Sequence, residues 1–241
     1  MTSNLCIDIG NTRVKMAVIQ DNHFRDYTVY DRNQIREARD WIANQVFQNA
    51  IYATVLKEDP SWLEELRAKV PVTRLSSASK IPLNMYYKSP ETLGADRIAA
   101  MVAAKSQFPE VPLLVINAGT CITYDLVNAA GDFVGGNIAP GLEMRWRAMH
   151  EFTASLPLIR PHDPGLSFLG YNTVTAMENG GVQGVVLEIE GYFYRLRKNY
   201  SELKCVITGG NAPFLVNHLK IGIFAEPYLV LKGLNIILNY Q

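Results

Sequence analysis

Leu5-Cys6-Ile7-Asp8-Ile9-Gly10-Asn11-Thr12-Arg13-Val14-Lys15 sets a short apolar run against a polar glycine turn, and a second run then continues to Ile19. That pattern predicts strand, tight turn, strand. Phe24 to Tyr30 follows the turn signal Asp21-Asn22-His23 and predicts a third strand. Beyond it, Arg32 to Phe47 carries Ile35, Ala38, Ile42 and Val46 at helical spacing. Ile51 to Leu56 reads as a strand, Ser61 to Ala68 as a helix opened by Pro60, and Val72 to Leu75 as a further strand. Three meandering strands followed by alternating helices and strands indicate an α/β mixed sheet.

The second half repeats this opening. Pro112 to Asn117 predicts a strand, Ala118-Gly119-Thr120 a turn, Ile122 to Val127 a strand and Phe133 to Ile138 another. Ile7-Asp8-Ile9-Gly10 aligns with Ile116-Asn117-Ala118-Gly119, and the matching order of elements after each makes duplication the better explanation. Helical patterns fill Gly141 to Phe152, Thr173 to Lys198 and Tyr228 to Leu238, with a strand at Lys204 to Ile207. The expected boundary lies between the helix at Asp96 to Ser106 and the strand at Pro112, giving domains of 1–110 and 111–241.

Composition limits the partners. The 241 residues carry 23 basic and 23 acidic side chains, so no surplus of Lys and Arg is available for a phosphate backbone, and nucleic acid is not expected. An apolar share of 48% suits a packed core. The best apolar run, Val111 to Ala118, is too short to span a bilayer and contains Asn117, so no membrane is expected. With an N-terminus unlike a signal peptide, a soluble intracellular protein is the expectation. Cys6, Cys121 and Cys205 sit singly in apolar runs and read as buried hydrophobes. His23, His150, His162 and His218 show no zinc-ligand spacing.

Glycine turns after strands expose consecutive backbone N–H groups with no Cβ in the way. Thr12 and Thr120 add hydroxyl donors and Lys15 adds a charge, so two facing turns would hold a polyphosphate from both sides. Asp8 would hold Mg²⁺ through oxygen. Thr208-Gly209-Gly210-Asn211 after a late strand would let a nucleotide's ribose or base approach the backbone. For Asp96 and Arg97, at the start of the Ala-rich helix, two readings stay open. Asp96 complements the helix dipole and Arg97 is a surface charge, or Asp96 takes a proton from a hydroxyl while Arg97 holds a carboxylate. A helix N-terminus lowers a carboxylate's pKa, so Asp96 is expected to be a weak base, which phosphoryl transfer tolerates.

Asp8 to Lys15 resembles the first phosphate motif, D-x-G-N-T-x-x-K, of type III pantothenate kinases. Tyr87 to Arg97 resembles that family's Y-x-x-P-x-x-L-G-x-D-R. Gly135 to Gly141 resembles its G-G-x-I-x-P-G loop, Gly170-Tyr171-Asn172-Thr173 its later threonine segment, and Thr208 to Ala212 its adenosine-side motif. The resemblance implies a duplicated ribonuclease-H-like (actin-like ATPase) fold, two similar domains with mixed sheets flanked by helices. It also implies a cytoplasmic homodimer and ATP- and Mg²⁺-dependent phosphorylation of pantothenate, the first step towards coenzyme A. By the same carry-over, Asp8, Ile9, Gly10, Asn11, Thr12, Arg13, Val14, Lys15, Gly119, Thr120, Gly209 and Gly210 handle ATP. Asp96 is the base, and Tyr87, Gly94, Ala95, Asp96, Arg97 and Thr173 contact pantothenate.

The chain departs from the pattern at one place. The family's second phosphate motif begins with an Asp that helps bind an activating K⁺ or NH₄⁺, and here Asn117 stands there. An amide carbonyl ligates without charge, so weaker cation affinity is expected. A phosphohydrolase of the same superfamily, such as an exopolyphosphatase, is the alternative enzyme, and a non-catalytic nucleotide-binding regulator is the alternative of another class.

Overall fold

A computed structural model describes residues 2–159 and 167–241; His162 lies outside the described residues. The first sheet has the order β3-β2-β1-β4-β5, built from β1 (Ser3–Ile9), β2 (Arg13–Gln20), β3 (His23–Asp31), β4 (Asn49–Thr54) and β5 (Val72–Arg74). β1, β2 and β3 pair antiparallel, while β4 and β5 run parallel to β1. All seven residues of β1 are buried, as a central strand covered on both faces requires. Asp21 and Asn22 turn β2 into β3 with φ of 50° and 64°, the left-handed pair that a two-residue hairpin needs.

Between these strands lie α1 (Ile35–Ala43) and α2 (Trp62–Arg67). α1 is shorter than its apolar spacing predicts. Ala38 and Ile42 are buried, but Ile35 is half exposed and Val46 lies beyond the helix, 80% exposed. The helix ends because the N–H groups of Asn44 and Gln45 bond three residues back, to Trp41 and Ile42. Leu5, Ile7, Ile9, Val14, Met16, Tyr52, Trp62 and Leu63 belong to the core beneath this sheet.

The second sheet has the order β11-β10-β7-β8-β9-β6. Its strands are β6 (Asn84–Met85), β7 (Leu113–Ala118), β8 (Cys121–Val127), β9 (Asp132–Pro140), β10 (Lys204–Thr208) and β11 (Ile223–Ala225). Helices α3 (Ala95–Gln107), α4 (Leu142–Glu151), α5 (Thr173–Arg197), α6 (Ala212–Val216) and α7 (Leu229–Tyr240) complete the described elements, with a 3₁₀ turn at Pro90–Thr92. β6, β11, α6 and the 3₁₀ turn are absent from the sequence expectation because two to five residues carry no periodicity. The architecture is α/β, with two mixed sheets flanked by helices.

Contacts divide the chain into two compact units. One comprises Met1–Glu110, Val127–Gly135 and Tyr228–Gln241, and the other Val111–Leu126 and Gly136–Pro227. The closing helix α7 therefore groups with the first unit, where it packs along α3 and β1. Side-chain amide hydrogen bonds fix it there: Asn4 Nδ2 donates to Asn235 Oδ1 at 2.9 Å and to Asn239 Oδ1 at 3.0 Å. Asn235 Nδ2 in turn donates to Asn22 Oδ1 at 3.0 Å. The core of the second unit gathers Ile116, Ile122, Tyr124, Trp146, Val185, Ile189 and Ile207. Cys6 and Cys205 are fully buried, and burial pushes both thiols up, whereas Cys121 is only half buried.

Candidate active site

Asp8 and Lys15 face each other across the last rungs of the β1–β2 hairpin. Lys15 Nζ lies 3.6 Å from Asp8 Oδ2. The carboxylate is held in a nearly closed setting, 8% exposed, because it ends a strand that is buried along its length. Burial pushes Asp8 up to about 6; the Lys15 charge pulls it down, and the Asp96 charge adds to the rise. The Gly10 N–H donates to Arg13 O at 2.9 Å and closes the turn. A Cβ at Gly10 would sit 3.2 Å from that same oxygen, so a side chain there would need the turn to give by a few tenths of an ångström. Asn11, Thr12 and Arg13 are exposed, whereas the side chains of Ile9 and Val14 belong to the core and leave only backbone groups for a ligand. The Arg32 N–H donates to Thr12 O at 2.8 Å and ties the turn to the end of β3.

Asp96 shares this unit. It lies in the first turn of α3, whose N-cap is Gly94. A Cβ at Gly94 would lie 2.6 Å from Asp96 Oδ1, so glycine leaves room for the carboxylate to fold back on its own helix end. Burial raises the Asp96 pKa. The backbone N–H groups of Arg97 and Asp96 and the charges of Arg97 and Lys15 oppose the rise without cancelling it. The weak-base expectation is thereby corrected: desolvation outweighs the helix N-terminus, because the carboxylate is removed from water as well as placed at the dipole. Arg97 is 4% exposed rather than a surface charge. Its Cζ lies 5.9 Å over the ring of Tyr87 and 5.9 Å over that of Phe133.

In the second unit the turn between β7 and β8 is equally constrained. The Gly119 N–H donates to Cys121 O at 3.0 Å, and the Gly141 N–H donates to Thr120 O at 3.0 Å. A Cβ at Gly141 would lie 2.4 Å from Gly119 O and 2.5 Å from Thr120 O, so the chain entering α4 rests directly on this turn. Arg145 holds that entry: Nε donates to Pro140 O at 2.8 Å and Nη2 meets Glu188 at 2.6 Å. Gly209, with φ of +100°, approaches from the other side, where a Cβ would come within 2.5 Å of Ala118 O. The Asn211 N–H donates to Ala118 O at 3.0 Å. Gly119, Thr120, Gly209 and Gly210 are thus gathered in one place. Asn117 is half buried and pairs with Thr208 in the β7–β10 register. Thr173 is exposed in the first turn of α5, where Asn172 and Thr175 form the capping box.

Among the described residues no three His, Cys, Asp or Glu side chains gather as a metal cage. Asp8 instead suits a hard ion that shares one carboxylate with ligand phosphates, the usual arrangement for Mg²⁺. The bracing residues Arg145, Glu188 and Phe133 were not legible beforehand. Arg145 and Glu188 are 43 residues apart, and no motif joins them.

The model of the family described as type III pantothenate kinase matches residues 4–195. The chain belongs to the type III pantothenate kinase family. A type III pantothenate kinase of Bacteroides fragilis is 45% identical over 241 residues, covering 99% of this chain and 98% of that one. Among solved structures, a conserved Baf family protein of Campylobacter jejuni aligns at a TM-score of 0.63 and 23% identity, covering 98% of both chains. A glucokinase from an Antarctic psychrotroph aligns at 0.54 and 11% identity over the whole of both. Those likenesses show the fold, which is that of actin-like ATPases and sugar kinases. Asp8, Lys15, Asp96 and Arg97 all lie in the first unit.

Proposed function

We infer that this chain transfers the γ-phosphoryl group of ATP to pantothenate, giving phosphopantothenate in the first step of coenzyme A biosynthesis. One observation carries the reading beyond family membership. Asp96 is a carboxylate raised by burial, set in the field of Asp8 and Lys15 and followed directly by a buried arginine. In this reading the pantothenate hydroxyl attacks the γ-phosphorus, the bond to the β-phosphate oxygen breaks, and ADP leaves. Asp96 accepts the hydroxyl proton, and its raised pKa makes it a better acceptor than an exposed carboxylate. Arg97 holds the pantothenate carboxylate, with Tyr87, Gly94, Ala95 and Thr173 completing that subsite. Lys15 and the backbone of Gly10 to Arg13, Gly119, Thr120, Gly209 and Gly210 hold ATP. Asp8 would hold Mg²⁺, which when bound neutralises phosphate charge. The family membership favours this reading over a phosphohydrolase or a regulator.

The finer points belong to the same proposal. The two homologous domains, expected at 1–110 and 111–241, each contribute one glycine turn. The enzyme works as a cytoplasmic homodimer, a reading supported by the exposed Phe152, Phe168, Leu169 and Tyr171; no described helix is long and apolar enough to cross a membrane. Asn117 offers a monovalent cation a neutral carbonyl only, so the enzyme depends weakly on K⁺. A coupled ADP-release assay with ATP and pantothenate, with and without K⁺, tests the reading. No pantothenate-dependent ADP would overturn it, and strict K⁺ dependence would overturn the part that concerns Asn117.

A further inference from the structure

Arg97 sits on an aromatic platform of two rings, of which Tyr87 belongs to the sequence motif and Phe133 does not. Phe133 is fully buried, and its ring centroid lies 5.4 Å from that of Tyr87 at an interplanar angle of 32°. The Arg97 guanidinium carbon lies over both rings at 5.9 Å. Met85 pairs with Phe133 in the β6–β9 register, which brings the chain leading to Tyr87 alongside that ring. The same rung is bolted by polar contacts. Asn84 Nδ2 donates to Asp132 Oδ1 at 2.8 Å, and Asn128 Nδ2 donates to Asp132 Oδ2 at 2.8 Å. Lys105, on the helix that carries Arg97, donates to the carbonyls of Asn128 and Ala129 at 3.0 and 2.8 Å. The strand that carries Phe133 is therefore paired with the segment leading to Tyr87, and the turn just before it is tied to the helix that carries Arg97.

A guanidinium resting on aromatic faces is held through its plane, and that plane sets the direction in which its edge N–H groups point. We propose that Phe133 is a positioning residue for the acceptor substrate: its ring sets the direction of Arg97 and the seat of Tyr87, and so governs affinity for the anionic end of pantothenate. The inference rests on the functional reading above, in which Arg97 meets that carboxylate.

Phe133→Leu keeps an apolar side chain but removes the aromatic face. The KM for pantothenate is expected to rise about tenfold, on the scale of a buried cation–π contact, while kcat and the KM for ATP stay within about twofold. Phe133→Tyr, which keeps the ring, should restore the wild-type KM, and Phe133→Met serves as a second non-aromatic variant should the leucine variant fold poorly. An unchanged pantothenate KM in both non-aromatic variants, or an equal loss in both substrates together with a lowered Tm, would overturn the assignment. Wild-type protein without pantothenate-dependent turnover would instead overturn the functional reading, and this inference with it.

Discussion

Gly233 on α7 faces the backbone of α3 at close range. A Cβ built there would lie 1.8 Å from Ala99 O, 2.5 Å from its carbonyl carbon and 2.9 Å from its Cα. All three atoms are backbone in the middle of a buried helix, so no rotamer change relieves the clash. Restoring an ordinary contact needs the helices to separate by about 1.5 Å, which opens the interface around Ile98, Val102, Val230 and Leu234. Overpacking of a core costs about 1–3 kcal/mol, and rigid backbone on both sides puts this case at the upper end. Against that stands the helix propensity of alanine over glycine, about 1 kcal/mol in the opposite direction. The two effects predict opposite signs. Gly233→Ala is expected to lose about 2 kcal/mol or more in urea unfolding, a large part of a domain's total stability. Because α3 also carries Asp96 and Arg97, a displaced helix should raise the KM for pantothenate as well. A variant as stable as wild type, or more stable, would show that propensity prevails and that the close crossing does not constrain the fold.

Other substitutions follow from the same geometry. Asp96→Asn should keep the fold and reduce kcat roughly 10²-fold or more, on general-base magnitudes; unchanged turnover would leave only the helix-dipole role. Gly141→Ala forces a methyl group onto the carbonyls of Gly119 and Thr120, and about 2 kcal/mol of strain there predicts a roughly thirtyfold loss in kcat/KM for ATP. Equal losses for Gly141→Ala and Gly222→Ala, where a Cβ meets nothing within 4 Å, would count against that account. Asp59 is bound by Tyr52 Oη at 2.5 Å, Arg67 at 2.7 Å and Arg74 at 3.3 Å. Burial raises its pKa, but these hydrogen bonds and charges more than reverse the rise, so the folded carboxyl titrates below its ordinary value. Its stabilisation is fully present above the unfolded value of about 3.9 and is lost as pH falls through the lower folded value. Asp59→Asn should therefore cost about 2 kcal/mol at neutral pH, and the difference from wild type should vanish in acid unfolding. A difference independent of pH would refute the ionic account.

Much of the fold is legible in the sequence because its strands are long, buried and apolar. The β1–β2 and β7–β8 hairpins announce themselves by glycine turns between continuous apolar runs, and Asp21-Asn22 names its own turn type. What the sequence does not carry is the destination of short or amphipathic pieces. Val46 looks like the next residue of a helical stripe, yet it is left 80% exposed once the helix has closed at Ala43. Likewise α7 stands at the end of the chain but packs in the first unit, because Asn235 and Gly233 meet Asn4 and Ala99, partners more than a hundred residues away. Such pairings obey shape and amide geometry rather than local pattern.

The same distinction separates the motif residues from their electrostatics. Asp8, Lys15, Asp96 and Arg97 are legible in the chain through the motifs that carry them, near the end of β1, the start of β2 and the start of α3. Their proton affinities are not. From the chain, Asp96 has a helix N-terminus and an adjacent arginine, and both pull its pKa down. In the fold it also has burial, and burial outweighs them. Asp8 follows the same rule, pushed up to about 6 despite a lysine 3.6 Å away. The Asp96 charge raises Asp8 further and the Lys15 charge lowers both carboxylates; under the proposed function the pair gains by receiving positive charge at Asp8 and a proton at Asp96. A magnesium-bound phosphate and an ionising hydroxyl bring those two charges. Under the proposed function the neutral overall charge of the chain is no obstacle to binding two anions, because backbone N–H groups, Lys15 and Arg97 would supply the positive potential locally, without a basic surface.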